Sequence, residues 1–175
     1  MNDRQILDSE RVLVLAPTAA DAALTRSILA EAGLACHLCA DLGGLSQALG
    51  EEAGAVLLTD AVLTASDIHS LVEALRCQPP WSDIPILLLS GTGADSSIAA
   101  WAIEWLGNVT VLERPVRLAT LISALRTALR ARRRQYELRN QLTELQQADV
   151  ILQRQDKHLR LLWEAATVLL TTEQP

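Results

Sequence analysis

Ala55-Val56-Leu57-Leu58 is the stretch that decides the fold. Every side chain in it is apolar and the run has strand length, so both faces of the strand must be covered. Such a strand belongs in the interior of a parallel sheet. Working outward, similar runs flank it on both sides. Arg11 to Leu15 and Leu34 to Cys39 precede it, and Ile84 to Leu89 and Val109 to Leu112 come after it. Segments with helical marks lie between them. Asp21 to Ala32 sets Leu24, Ile28 and Leu29 on one face and stops at Gly33. Leu45 to Leu49 opens at Gly43-Gly44 and stops at Gly50; Ser66 or Asp67 caps a helix through Leu71 and Leu75. Ile98, Trp101, Ala102, Trp105 and Leu106 mark another helix, and a last one runs to Leu129. Strand and helix alternate through five units, which predicts an α/β fold built on a five-stranded parallel, doubly wound sheet. The natural strand order is 2-1-3-4-5, with any ligand at the carboxyl ends of the strands.

The chain has 175 residues, half of them apolar, with no Phe and only 3% aromatics. Its core must therefore be packed from Leu, Ala, Val and Ile. No apolar run approaches the ~20 residues of a membrane helix. The opening Met1-Asn2-Asp3-Arg4-Gln5 lacks the basic-then-apolar pattern of a secretory signal. A cytoplasmic protein without membrane attachment is expected. Cys36, Cys39 and Cys77 are an odd number of thiols, which argues against a disulfide framework. Cys36-His37-Leu38-Cys39 has the spacing of a redox or zinc motif, but it falls on a strand, where positions three apart face opposite sides. Gly91-Thr92-Gly93 is a weak phosphate-loop signal, since the Lys of such a loop is absent.

Charge divides the chain in two. Residues 1–116 carry 5 basic and 15 acidic side chains, and residues 117–175 carry 10 basic and 6 acidic, so the parts stand at −10 and +4 within the net −6. Val116 to Gln174 contains neither Gly nor Pro. One continuous helix over that stretch would span roughly 90 Å. Leu138, Leu145, Leu152 and Leu159 repeat every seven residues, with Gln141, Ala148, Gln155, Leu162 and Leu169 as companions. That is a heptad seam with polar interruptions, and it predicts a parallel two-stranded coiled coil. The expected organisation is a polar leader at 1–10, an α/β domain at 11–130 and a coiled-coil helix at 131–175.

The order of βα units, together with Ser90 at the end of the fourth strand and Arg114-Pro115 after the fifth, resembles the receiver domain of two-component response regulators, whose fold is flavodoxin-like. The resemblance covers residues 11–130. It implies that Ser90 stands where a hydroxyl binds the phosphoryl group, and that Arg114-Pro115 matches a Lys-Pro pair whose peptide bond is cis. It also implies an acidic pair for Mg²⁺ after the first strand and an acceptor Asp after the third. Those places hold Ala16, Pro17 and Thr59. Asp60 comes one residue late and, if the strand continued, would face the opposite side. The family's aromatic switch position is Val111. Arg114 is then left to pair with Glu113 or to lie exposed. The acceptor, the metal acids and the switch are all lost, so a non-phosphorylatable pseudo-receiver is expected, with no catalytic residues, cofactor or metal.

The function expected is a regulatory module of a bacterial two-component protein, dimerising through the coiled coil and passing a signal onward. Residues from Leu161 are similar to the helix leading into GAF-type sensor domains of histidine kinases, so the chain resembles the amino-terminal part of such a kinase. His158 lacks the acidic residue or Pro of a kinase phosphoacceptor box and reads as a solvated helix position. Trp101 and Trp105, one helical turn apart, fit either a core face or a protein interface. Two alternatives remain: a stand-alone dimeric adaptor, and a nucleic-acid regulator. Arg126, Arg130, Arg132, Arg133 and Arg134 precede the heptads as in a basic-region zipper, and ANTAR-type antiterminators share the layout. The acidic balance of the whole chain weighs against nucleic acid as a partner.

Overall fold

The computed structural model describes residues 11–50, 53–63, 68–91 and 97–172, with side chains as far as Leu161 and at Trp163. Five strands form one parallel sheet: β1 (Val12–Leu15), β2 (Cys36–Leu38), β3 (Ala55–Thr59), β4 (Ile86–Ser90) and β5 (Val109–Glu113). The helices are α1 (Ala19–Glu31), α2 (Leu42–Leu49), the single turn α3 (Asp60–Leu63), α4 (Ile68–Arg76), α5 (Ser97–Leu106) and α6 (Leu118–Thr172). The strand order is β2-β1-β3-β4-β5, as the sequence predicts. Chain contacts divide the protein into two units, Met1–Tyr136 and Glu137–Pro175.

Alternation along each strand builds two cores. Leu13, Leu15, Val56, Leu58, Ile86 and Leu88 face one side and pack with Leu42 and Leu45 of α2, Leu71 of α4 and Ala102 of α5. Val12, Val14, Leu57 and Leu87 face the other, against Leu29 of α1 and Leu121 and Leu125 of α6. All five residues of β3 are buried, which is what its unbroken apolar run requires.

Local chemistry sets the element ends. Thr18 caps α1 by accepting from the Asp21 N–H at 3.1 Å. Asp41 caps α2 by accepting from the Gly44 N–H at 2.7 Å, so α2 begins at Leu42 and Gly43-Gly44 lie inside its first turn. Gly33 and Gly107 end α1 and α5 with φ of +71° and +84°, a region costly for other residues. β4 starts at Ile86 rather than Ile84, because Pro85 has no N–H to donate to a ladder. The cap expected at Ser66 or Asp67 lies outside the described residues. The Arg114-Pro115 peptide is cis.

Cys36 belongs to the α1/α6 side and Cys39 to the other, so the two thiols do not converge. Burial raises both above the ordinary thiol range, against a smaller lowering by Arg26 at Cys36 and by Arg11 at Cys39. Cys77 is exposed.

The amino ends of the strands are held to α6 by Arg132, which is 4% exposed. Its Nε donates to the Ala53 carbonyl at 3.1 Å, Nη1 to Ser82 Oγ at 2.8 Å and to Gln135 Oε1 at 2.7 Å, and Nη2 to the Tyr136 hydroxyl at 3.2 Å. The guanidinium lies 5.3 Å from the Trp81 ring centre and 4.6 Å from that of Tyr136. Arg132, Gln135 and Tyr136 belong to the first unit, Met1–Tyr136. Among the described residues no helix is long and apolar enough to cross a membrane.

Candidate functional site

The site residues gather at the carboxyl ends of β3, β4 and β5. β3 ends at Thr59, and the chain turns at once into α3, whose first residue is Asp60. Strand register aligns the three ends. Thr59 lies beside Leu89, which brings Asp60 level with Ser90, and Ser90 lies beside Glu113, which brings Arg114 to the same end.

Asp60 is 7% exposed and its two oxygens are engaged separately. Oδ1 accepts from Arg114 Nη2 at 2.9 Å. Oδ2 accepts from the Gly91 N–H at 2.6 Å and from the Ser90 hydroxyl at 3.4 Å. Burial pushes the Asp60 carboxyl up, but the Gly91 N–H, the Arg114 charge, the Ala61 N–H and the Ser90 hydroxyl together outweigh it and hold the group below the ordinary carboxylate range. Arg114 also donates its own N–H to the Ser90 carbonyl at 2.8 Å. Gly91 leaves room for the guanidinium: a Cβ there would stand 2.9 Å from Arg114 Nη2.

The structure corrects two expectations. Asp60 begins the turn α3 instead of extending β3, and its carboxylate reaches Ser90, Gly91 and Arg114, so the late carboxylate joins the cluster instead of missing it. Arg114 is neither exposed without a carboxylate nor left to Glu113, because Asp60 is within reach. The Gly91 N–H is a member of the site that the sequence does not announce, since any residue but Pro supplies an N–H.

Thr59 is 8% exposed, and its hydroxyl has no hydrogen-bond partner among the described residues. Ala16 and Pro17 line a groove of about 360 Å³ with Asp41, Leu42 and Val62. Asp41 is the carboxylate of that groove, and it is committed to capping α2. A divalent cation such as Mg²⁺ wants several oxygen ligands in near-octahedral order. Ala16 and Pro17 offer no side-chain oxygen, and no group of three His, Cys, Asp or Glu among the described residues could hold a metal. The donor set does not fit the ion. Pro115 comes next to Arg114 across the cis bond. Val111 is half-buried against the α2/α4/α5 core.

Trp101 packs on that core, whereas Trp105 is 43% exposed. Their rings stack at 6.5 Å, and Arg76 lies 5.2 Å over Trp105. In the second unit, Leu138, Leu145, Leu152 and Leu159 are 59%, 67%, 62% and 64% exposed. The side chains of Leu162 and Leu169 lie outside the described residues.

Comparison with known proteins agrees on the fold. No protein-family model matches the chain, and no curated protein matches it. Among solved structures, a CheY-like response regulator receiver domain from Methanospirillum hungatei JF-1 shares 17% identity with a TM-score of 0.58, over 71% of this chain and 97% of its own. The receiver domain of a sensor histidine kinase from Pseudomonas aeruginosa PAO1, which holds a magnesium ion in its active-site cleft, shares 18% with a TM-score of 0.57, over 69% and 97%. Full-length FixJ from B. japonicum shares 25% with a TM-score of 0.58, over 71% of this chain and 60% of that one. The α/β unit of this chain has the flavodoxin-like fold of response regulator receiver domains.

Proposed function

We propose that this chain is a receiver-like regulatory module of a two-component signalling protein, one that does not accept a phosphoryl group. The observation that carries the reading is the closed Asp60–Arg114–Gly91–Ser90 cluster beside a cation place built from Ala16 and Pro17. A nucleophilic carboxylate needs a free oxygen and a neutralising cation for phosphoryl transfer. Asp60 has both oxygens bound, and its positive neighbour is a guanidinium fixed in the protein. The Asp60–Arg114 pair then serves as a permanent tie between β3 and β5.

The heptad leucines support dimerisation through a parallel coiled coil, because four large apolar side chains at that spacing stand exposed. In this reading the module holds two copies together in the cytoplasm and passes a bias in helix packing to a GAF-type or histidine-kinase module downstream. The segment itself is not an enzyme. The test is incubation with acetyl phosphate and Mg²⁺ before intact-mass measurement. Unchanged mass is the expected result, and an added phosphoryl group lost in Asp60→Asn would make Asp60 a working acceptor and defeat the proposal.

A further inference from the structure

Seven of the chain's 15 basic side chains stand between Arg114 and Tyr136, a stretch that holds none of its 21 acids. Arg114 is held by Asp60, and Arg132 is buried against Ala53 and Ser82. Arg126 and Arg130 are exposed on α6 and share an open groove of about 360 Å³ with Leu34 and Leu129. Arg126 Nη2 donates to the Ala32 carbonyl at 3.1 Å, and Arg130 Nη2 to Thr127 Oγ1 at 3.4 Å. Neither Arg126 nor Arg130 has a carboxylate at ion-pairing distance among the described residues. Each guanidinium has five N–H donors, so most of theirs are unfilled.

Positive charge gathered on one face of an acidic protein attracts an anionic partner. The form of the groove chooses among such partners. It is open, whereas a small-molecule site encloses most of its ligand. Leu34 and Leu129 are half-buried in its wall, and a phosphate backbone gains nothing from them. An amphipathic helix answers both parts, with its apolar stripe on the leucines and its carboxylates on the guanidiniums. The spacing agrees. Arg126 and Arg130 stand one helical turn apart, ~6 Å, with Leu129 next to them. A helix carrying Glu-x-x-Leu-Glu presents two carboxylates at the same ~6 Å with a leucine beside them. The bond to Ala32 also fixes the Arg126 side chain, so less rotamer freedom is lost on binding.

We propose that this groove is a docking surface for an acidic amphipathic helix of a partner protein, with two carboxylates on Arg126 and Arg130 and a leucine on Leu34 and Leu129. The docked helix bridges the end of α1 and the first turns of α6. The contact uses no residue of the Asp60 cluster and so stands or falls apart from the receiver-like reading.

The probe is a fluorescent synthetic peptide of about 18 residues, five helical turns, built on the Glu-x-x-Leu-Glu pattern. Anisotropy with the full chain at ~0.15 M salt, where the screening length is ~8 Å, should show saturable binding. Arg126→Glu/Arg130→Glu should weaken it at least ~10-fold, as the loss of two exposed ion pairs requires. Arg117→Glu/Arg134→Glu changes as much charge outside the groove and should alter it less than ~2-fold. A peptide of the same composition, with Glu and Leu scattered round the helix, should bind ~10-fold more weakly because its leucines no longer share a face. Circular dichroism checks that both double variants keep the fold. Equal binding of the two peptides, or equal loss in the two variants, would reduce the effect to net charge and overturn the proposal. So would a lack of saturation up to ~1 mM peptide. A DNA duplex or an anionic vesicle bound in preference to the peptide, and released by Arg126→Glu/Arg130→Glu, would overturn it by giving the groove to phosphate groups. A mass that falls in that variant by light scattering, with no peptide bound by the wild type, would give the groove to a second copy instead.

Discussion

Asp60 is held by Arg114, the Gly91 N–H and the Ser90 hydroxyl from two neighbouring strand ends and by the Ala61 N–H of its own turn, and its energetics rest on those donors. Hydrogen bonds to a charged group contribute ~1.5–3 kcal/mol, but Arg114 is 42% exposed and its share is screened by solvent. Asp60→Asn should therefore cost about 1–2 kcal/mol in denaturant unfolding at neutral pH. The pH dependence has a definite sign. A carboxyl held below its unfolded value stabilises the fold above that value, ~3.9, and the contribution is lost as pH falls through the depressed folded value. The stability gap between wild type and Asp60→Asn should thus be constant above about pH 5 and narrow on acidification below pH 4. A gap that widens with acid would contradict the assigned environment. Gly91→Ala tests the same place from the other side. Its Cβ would meet only the far end of a flexible guanidinium, so the expected outcome is displacement of Arg114 at a cost under ~1 kcal/mol, with the fold retained.

At the scale of elements, much of the architecture is legible in the sequence because each strand's pattern reports its own burial. Ala55 to Leu58 reads as a two-sided interior strand, and β3 is one, one residue longer. Gly33 and Gly50 mark real helix ends. Asp60 is harder to read, since its partners come from the ends of β4 and β5 and depend on register, which no local pattern carries. Arg132 is the clearest case of this. In a run of four basic residues within five it looks like a solvated helix face, yet its partners Ala53 and Ser82 lie 79 and 50 positions away in the chain. Long-range contacts of this kind leave no local trace. Removing that guanidinium takes a donor from the Ala53 carbonyl, the Ser82 hydroxyl, Gln135 Oε1 and the Tyr136 hydroxyl together, although Tyr136 still donates to Ala53 and Ser82 to Gln78. Arg132→Met should cost about 3 kcal/mol in thermal or denaturant unfolding. Arg132→Lys should recover only part of it, because an ammonium cannot reproduce the planar fork.

For the molecule as a whole, the two units make separate demands. The α/β unit closes both its cores on itself, whereas Leu138, Leu145, Leu152 and Leu159 of the second unit stand exposed. Leu145→Glu/Leu152→Glu should halve the mass in light scattering while leaving the α/β unit's unfolding transition in place. A variant of undiminished mass would move self-association to another surface. The heptad is legible from spacing alone, but spacing cannot say what covers it. The arrangement around Trp81 has one further use. Its ring centre lies 5.3 Å from that of Tyr136 and within cation–π reach of Arg132, so its emission depends on whether the root of α6 is seated. Replacing Trp101, Trp105 and Trp163 with Phe would leave Trp81 as the lone indole fluorophore of the chain. The protein would then carry its own optical gauge of helix attachment, readable in real time without any added dye.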